Sequence, residues 1–142
     1  MRVIKLSPND PAMLTRDMVI VFFQETLGKR KPSGQFFLTK GRIAQNGISL
    51  GERLLFTYQG ECIYQARAAS GRTANEAANK DRYPFYFCVN VETIVDATGS
   101  LQDVEAKLSL AGKNLVKTQG WPIINDAHAE TQDKINRVLG KV

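Results

Sequence analysis

The chain has 142 residues, a formal net charge of +5 and a sequence pI of about 9.4. Hydrophobic residues make up 43% and charged residues 23%, ordinary globular usage that excludes disordered, collagen-like, coiled-coil and disulfide-scaffold chains. No apolar run approaches the roughly 20 residues that span a bilayer, and residues 1–8 lack the apolar stretch of a secretory signal, so the expectation is one cytoplasmic domain over residues 1–142 with no membrane contact.

Residues 18–24 (MVIVFFQ) form a continuous apolar run of strand length and predict a central strand buried on both faces. Residues 27–34 hold Gly28, three successive bases, Pro32, Ser33 and Gly34, which predict an exposed loop. Residues 35–42 (QFFLTKGR) follow, with Phe36 and Phe37 beside Lys40 and Arg42, and Asn46-Gly47 marks a turn. Residues 53–58 predict a strand with Leu54, Phe56 and Tyr58 on one face. The two-residue link Gln59-Gly60 to residues 61–70 predicts a hairpin.

Residues 71–82 predict a polar loop with room for one short helix. Residues 83–94 (YPFYFCVNVETI) alternate cleanly and predict a strand, with Pro84 at its start. Ser100 is placed to cap a helix through Leu108, in which Leu101, Val104 and Leu108 share a face and which Gly112 ends. Residues 119–124 predict a short turn and an apolar segment. Asp126 is placed to cap a final helix with Ile135, Val138 and Leu139 as its stripe and Gly140 as its stop. His128 falls in its first turn as a solvated residue. Strands first and helices late predict an α+β fold: a small curved or closed β-barrel with flanking helices, the last at the C-terminus.

The charge is unevenly spread. The first 60 residues carry nine bases and four acids, whereas the rest of the chain is balanced. Lys29, Arg30, Lys31, Lys40 and Arg42 cluster around the predicted loop, the electrostatic footprint of a nucleic-acid binder or of a solvated loop. Two separated cysteines, Cys62 and Cys88, and one histidine do not make a zinc site or a catalytic triad. No phosphate-binding glycine loop is present. No metal or cofactor is expected.

The run Gly51-Glu52-Arg53-Leu54-Leu55-Phe56-Thr57-Tyr58 resembles the glycine–acid–apolar strand of PUA-like folds, most closely their EVE, YTH and ASCH branches. Residues 60–68 are similar to the hairpin partner of that strand, residues 86–91 to a later family strand, and residues 18–24 to the first. The resemblance spans residues 18–95 and extends to the C-terminal helix. Glu52 replaces the usual Asp, and the tryptophan expected near the first strand is absent, its place taken by Phe36 or Phe37.

The resemblance implies a small RNA- or DNA-binding barrel that holds a flipped, modified base in a pocket. It also suggests the specificity module of a modification-dependent restriction system. Such a site needs π-faces, polar atoms for the base edge and cations for the phosphates. Phe36, Phe37, Tyr58, Tyr64, Tyr83, Tyr86 and Trp121 are candidate walls. Thr39, Asn46, Asn90 and Asp96 are candidate edge readers. Lys29, Arg30, Lys31, Lys40 and Arg42 are candidate phosphate contacts. Residues 35–42 are the leading segment, because aromatics, a hydroxyl and two cations interleave there. Trp121 also fits a core plug, Tyr64 and Tyr86 are commonly half buried, and Phe56, Phe85 and Phe87 alternate as core.

Two alternatives stand beside this expectation. ASCH-type members include amidohydrolases of modified nucleosides, and Thr39-Lys40 with Glu61 or Glu92 as the acid is similar to their site. A protein-interaction module would bind neither DNA nor RNA.

Overall fold

A computed structural model describes residues 1–39, 47–108 and 114–142. Its centre is the strand β3 (Arg53–Tyr58), buried along its whole length. Leu54, Phe56 and Tyr58 point to one side of the sheet, as the alternation predicts, and Leu55 packs on the other. Gln59 and Gly60 both adopt positive φ, 49° and 82°, which suits the tight primed turn of a hairpin. They return the chain into β4 (Glu61–Ala68), antiparallel to β3. On the other side of β3 lies β1 (Arg2–Leu6), in parallel register with Arg2 opposite Leu54.

The remaining strands gather on β6 (Phe85–Asp96). Its later residues pair with β4 across an irregular register. Residues 85–88 pair with β2 (Gln35–Leu38), and Phe85 and Tyr86 with the short β5 (Thr73–Ala74). The path β1-β3-β4-β6-β2 curls into a half-barrel, giving the α+β class expected, with three α-helices among the described residues.

Residues 18–24 do not form a strand. They belong to α1 (Arg16–Val21), followed by one π-helical turn (Phe22–Thr26) and a 3₁₀ turn (Leu27–Lys29). An unbroken apolar run carries no period, so it does not separate a buried strand from a helix. The local chemistry lies just upstream. Thr15 Oγ1 accepts the Met18 N–H at 3.2 Å, and Asp17 sits in the first turn, both favourable at a helix N-terminus. The π turn lets neighbouring Phe22 and Phe23 both reach the core, which a strand, alternating faces, does not allow.

The sheet's two faces bury separate cores. The inner one is aromatic: Phe23 meets Phe56 at 4.7 Å and Tyr64 at 4.9 Å, and Phe36 meets Phe87 at 5.3 Å between ring centroids. The outer one packs Val3, Leu55 and Cys62 under α2 (Leu101–Leu108) and α3 (Ala129–Leu139). The α2 start is as expected, with the Asp103 N–H donating to Ser100 Oγ at 3.0 Å; the expected stop at Gly112 lies outside the described residues. Helix α3 carries its stripe on Ile135 and Leu139, with Val138 packed against them, and the Gly140 N–H closes it on Asn136 O at 2.8 Å.

Asp126 does not cap that helix. It precedes the first turn and pairs with the Met1 amino group at 2.9 Å, leaving exposed His128 at the N-cap position with no side-chain bond. Residues 71–82 hold β5 and turns rather than a helix.

Cys62 and Cys88 are buried free thiols. Burial, with Glu61 and Asp103 adding to it, pushes the Cys62 thiol up to about 11 from 9.0. In the unfolded chain this thiol ionises two units earlier, so between pH 9 and 11 the unfolded state binds fewer protons and stability falls as pH rises. The expected loss by pH 11 is about 2 kcal/mol. Urea unfolding at stepped pH measures it, as the difference in slope between the wild type and Cys62→Ala.

Candidate functional site

The site is built on β2. The Gly34 N–H donates to Leu27 O at 3.0 Å, and Gly34 O accepts the Val89 N–H at 2.8 Å. The 3₁₀ turn, β2 and β6 are thereby joined at one residue. From there Phe36 enters the aromatic core, and the next residue, Phe37, turns outward. Phe37 stacks on Tyr83 at 5.4 Å with an interplanar angle of 30°.

Guanidinium groups flank this pair. Arg30 lies over Phe37 at 5.0 Å and over Phe22 at 4.9 Å, and its Nη1 donates to Gln35 O at 2.9 Å. Burial lowers the Arg30 pKa from its usual value, while Asp10 and Tyr83 act the other way. Arg82, exposed, lies over Tyr83 at 5.4 Å.

Two open clefts adjoin the stacked pair, and Phe36, Phe37, Tyr83, Asp10 and Met13 line both. The larger, about 190 Å³, adds Lys5, Thr39, Arg82 and Trp121. The smaller, about 170 Å³, adds Phe22, Arg30 and Asn79. Trp121 reaches the first cleft because residues 122–124 run beside β1: the Val3 N–H donates to Pro122 O at 2.9 Å and the Ile124 N–H to Met1 O at 2.7 Å. The indole packs on Phe36 at 6.3 Å. Its Nε1 is buried with no hydrogen-bond partner among the described residues.

The structure therefore brings Phe36, Phe37, Thr39, Tyr83 and Trp121 together, with Arg30 in the adjoining cleft. Other candidates lie elsewhere. Tyr58 is buried, and its hydroxyl donates to Met13 O at 2.8 Å, supporting the floor from behind. Tyr64 packs on Phe23 and lines a separate depression with Gln24 and Val91; burial, then Asp96, raises its pKa.

Tyr86 and Asn90 line neither cleft. Asn90 shapes the irregular part of β6, its Oδ1 accepting the Glu92 N–H and its carbonyl the Thr93 hydroxyl. Asp96 is exposed opposite Tyr64. Lys29 and Lys31 are exposed and line neither cleft. Lys40, Arg42 and Asn46 lie outside the described residues. Glu61 sits at the hairpin and exposed Glu92 on β6; neither lines the cleft that holds Thr39.

Lys5, Asp10, Asn79 and Arg82 are lining residues that the sequence reasoning missed. The only signal was the adjacency of Arg82 to Tyr83. Lys5 is already engaged, donating to Val116 O at 3.2 Å and Thr118 O at 2.7 Å. Burial lowers its pKa, with Glu105 opposing.

The chain matches none of the protein-family models, curated proteins or solved structures with which it was compared. Among the described residues no group of three or more His, Cys, Asp or Glu is placed to hold a metal ion, and no helix is long and apolar enough to cross a membrane.

Proposed function

We propose that this chain is a nucleic-acid-binding domain of the PUA-like kind that reads a modified base turned out into the cleft beside Phe37 and Tyr83. The observation that carries the proposal is the stacked Phe37–Tyr83 pair with one guanidinium over each ring, at the junction of two clefts. The Arg30 guanidinium is held by two rings and a carbonyl, whereas the Arg82 guanidinium has only its ring contact among the described residues. Swinging aside, Arg82 frees the Tyr83 face for a base and becomes available to a phosphate. The curled sheet supports the reading by bringing β2, at the end of its strand order, to the cleft as a wall. A specificity module of a modification-dependent restriction system is the setting that suits such a reader.

The experiment is a binding panel of short DNA and RNA duplexes and single strands. They carry plain and modified cytosine and adenine, at two salt concentrations. The expected result is preference for one modified base over its plain counterpart. Tyr83→Ala, which removes the face offered to the base, should weaken that binding about 30-fold, since stacking contributes about 1–3 kcal/mol per base. Binding that is equal for every base and lost at the higher salt would reduce the site to a basic surface. Absence of binding would remove nucleic acid from consideration.

A further inference from the structure

We infer that Asp10 makes the cleft selective for a base that carries an exocyclic amine, an inference that rests on the base-reading function proposed above. Asp10 is the sole acid among the described residues lining either cleft, and it lines both. The charged neighbours it shares them with are Lys5, Arg82 and Arg30. A carboxylate facing a polyanion is unfavourable unless it meets a donor; the nearby Arg30 charge offsets part of that, and a donor on the base would meet the rest.

The geometry leaves half of the group available. The Asp10 N–H donates to Ser7 O at 3.1 Å, its carbonyl accepts the Met13 N–H at 2.9 Å, and its Oδ1 accepts the Ala12 N–H at 2.9 Å. These bonds fix the turn and the side chain's direction. Oδ2 has neither a hydrogen bond nor an ion pair to any described residue, Arg30 included. Asp10 is half buried.

An ionised carboxylate only accepts hydrogen bonds. The amines at position 4 of cytosine and position 6 of adenine donate to it, and each still keeps one N–H after a single methylation. Uracil, thymine and hypoxanthine place a carbonyl oxygen at the same position, where two acceptors would face each other. The selectivity therefore turns on amine against carbonyl, whatever else is attached to the ring.

The test uses single-stranded DNA oligomers differing at one central position, in three pairs: cytosine and uracil, 5-methylcytosine and thymine, adenine and hypoxanthine. Each pair exchanges an amine for a carbonyl and, beside it, a ring-nitrogen acceptor for an N–H donor. The amine member of at least one pair should bind tenfold tighter or more, about the size of one good base contact. Asp10→Asn keeps an acceptor for the Ala12 N–H and adds a donor, so it should bring that ratio to within about twofold. Equal binding within all three pairs by the wild type overturns the inference with no variant needed. A preference that survives Asp10→Asn also overturns it. In both cases nucleic-acid binding itself still stands, whereas failure to bind every oligomer removes the proposed function and this inference together.

Discussion

Gly34→Ala is expected to cost about 4 kcal/mol of folding stability, among the largest effects a single substitution produces. Two causes act together. Gly34 has φ +78°, a region where a side chain costs about 1–2 kcal/mol. An added Cβ would also lie 1.9 Å from Val89 O and 2.9 Å from Val89 C, both backbone atoms of β6. No rotamer relieves a backbone clash, so β2 must move away from β6.

Gly51→Ala separates the two causes. Its φ is +81° with nothing within 4 Å of an added Cβ, so it should lose only about 1 kcal/mol. Urea unfolding followed by Trp121 fluorescence measures both variants. Because Phe36 and Phe37 lie on β2, Gly34→Ala protein that still folds should also lose base preference. Equal losses at the two glycines would mean that β2 and β6 are more loosely joined than their bonds indicate.

Arg53→Ala is expected to cost about 3 kcal/mol and to release α3 before the sheet. Arg53 is 3% exposed and makes no ion pair among the described residues. Its Nε donates to Gln65 Oε1 at 3.0 Å, Nη1 to Asn136 Oδ1 at 2.6 Å and Nη2 to Gly140 O at 2.5 Å. Gln65 continues the chain of bonds to Leu139 O at 2.5 Å.

Burial first, and then the nearby Arg67 charge, pull the Arg53 pKa down to about 10, with Asp126 opposing. The charge is thus held mainly by neutral acceptors. Truncation lifts the burden of burying it, but strands three acceptors at about 1–3 kcal/mol each and leaves a cavity. The orphaned groups outweigh the relief. Hydrogen exchange should show the α3 amides losing protection at lower denaturant than those of β3. A loss under about 1 kcal/mol would mean that desolvating the guanidinium cancels its bonds.

What could be read from the sequence follows from where the chemistry is local. The β3–β4 hairpin was legible because its alternation and its two-residue turn sit within neighbouring residues. The α2 start was legible for the same reason, through Ser100. Phe36, Phe37 and Thr39 stood out because aromatics, a hydroxyl and cations interleave just after a basic loop, and Trp121 as an aromatic that also fits a core plug; all four line one cleft.

Residues 18–24 misled because composition without period matches strand and helix alike, and the deciding cap, Thr15, lies before the run. Strand β1 went unremarked, since five residues beside a proline give little pattern. Tyr58 and Tyr64 were credited to the pocket, but aromatic residues on a strand buried on both faces are absorbed by the core. Asp10 and Arg82 reach the clefts from loops far apart in sequence, and only tertiary structure joins them.

The placement of β1 also bears on how the chain acquires its shape. Arg2–Leu6 has no local partner: one flank meets Arg53–Tyr58 and the other meets residues 122–124. Closing such distant pairings comes at an entropic cost before any contact rewards it, which slows folding toward the millisecond-to-second range. β1 is therefore among the last strands to be enclosed. It waits as a short, mostly apolar edge, the kind of segment that pairs with other copies. Arg2 and Lys5, two charges among its five residues, are of the kind natural sequences place there to discourage that pairing.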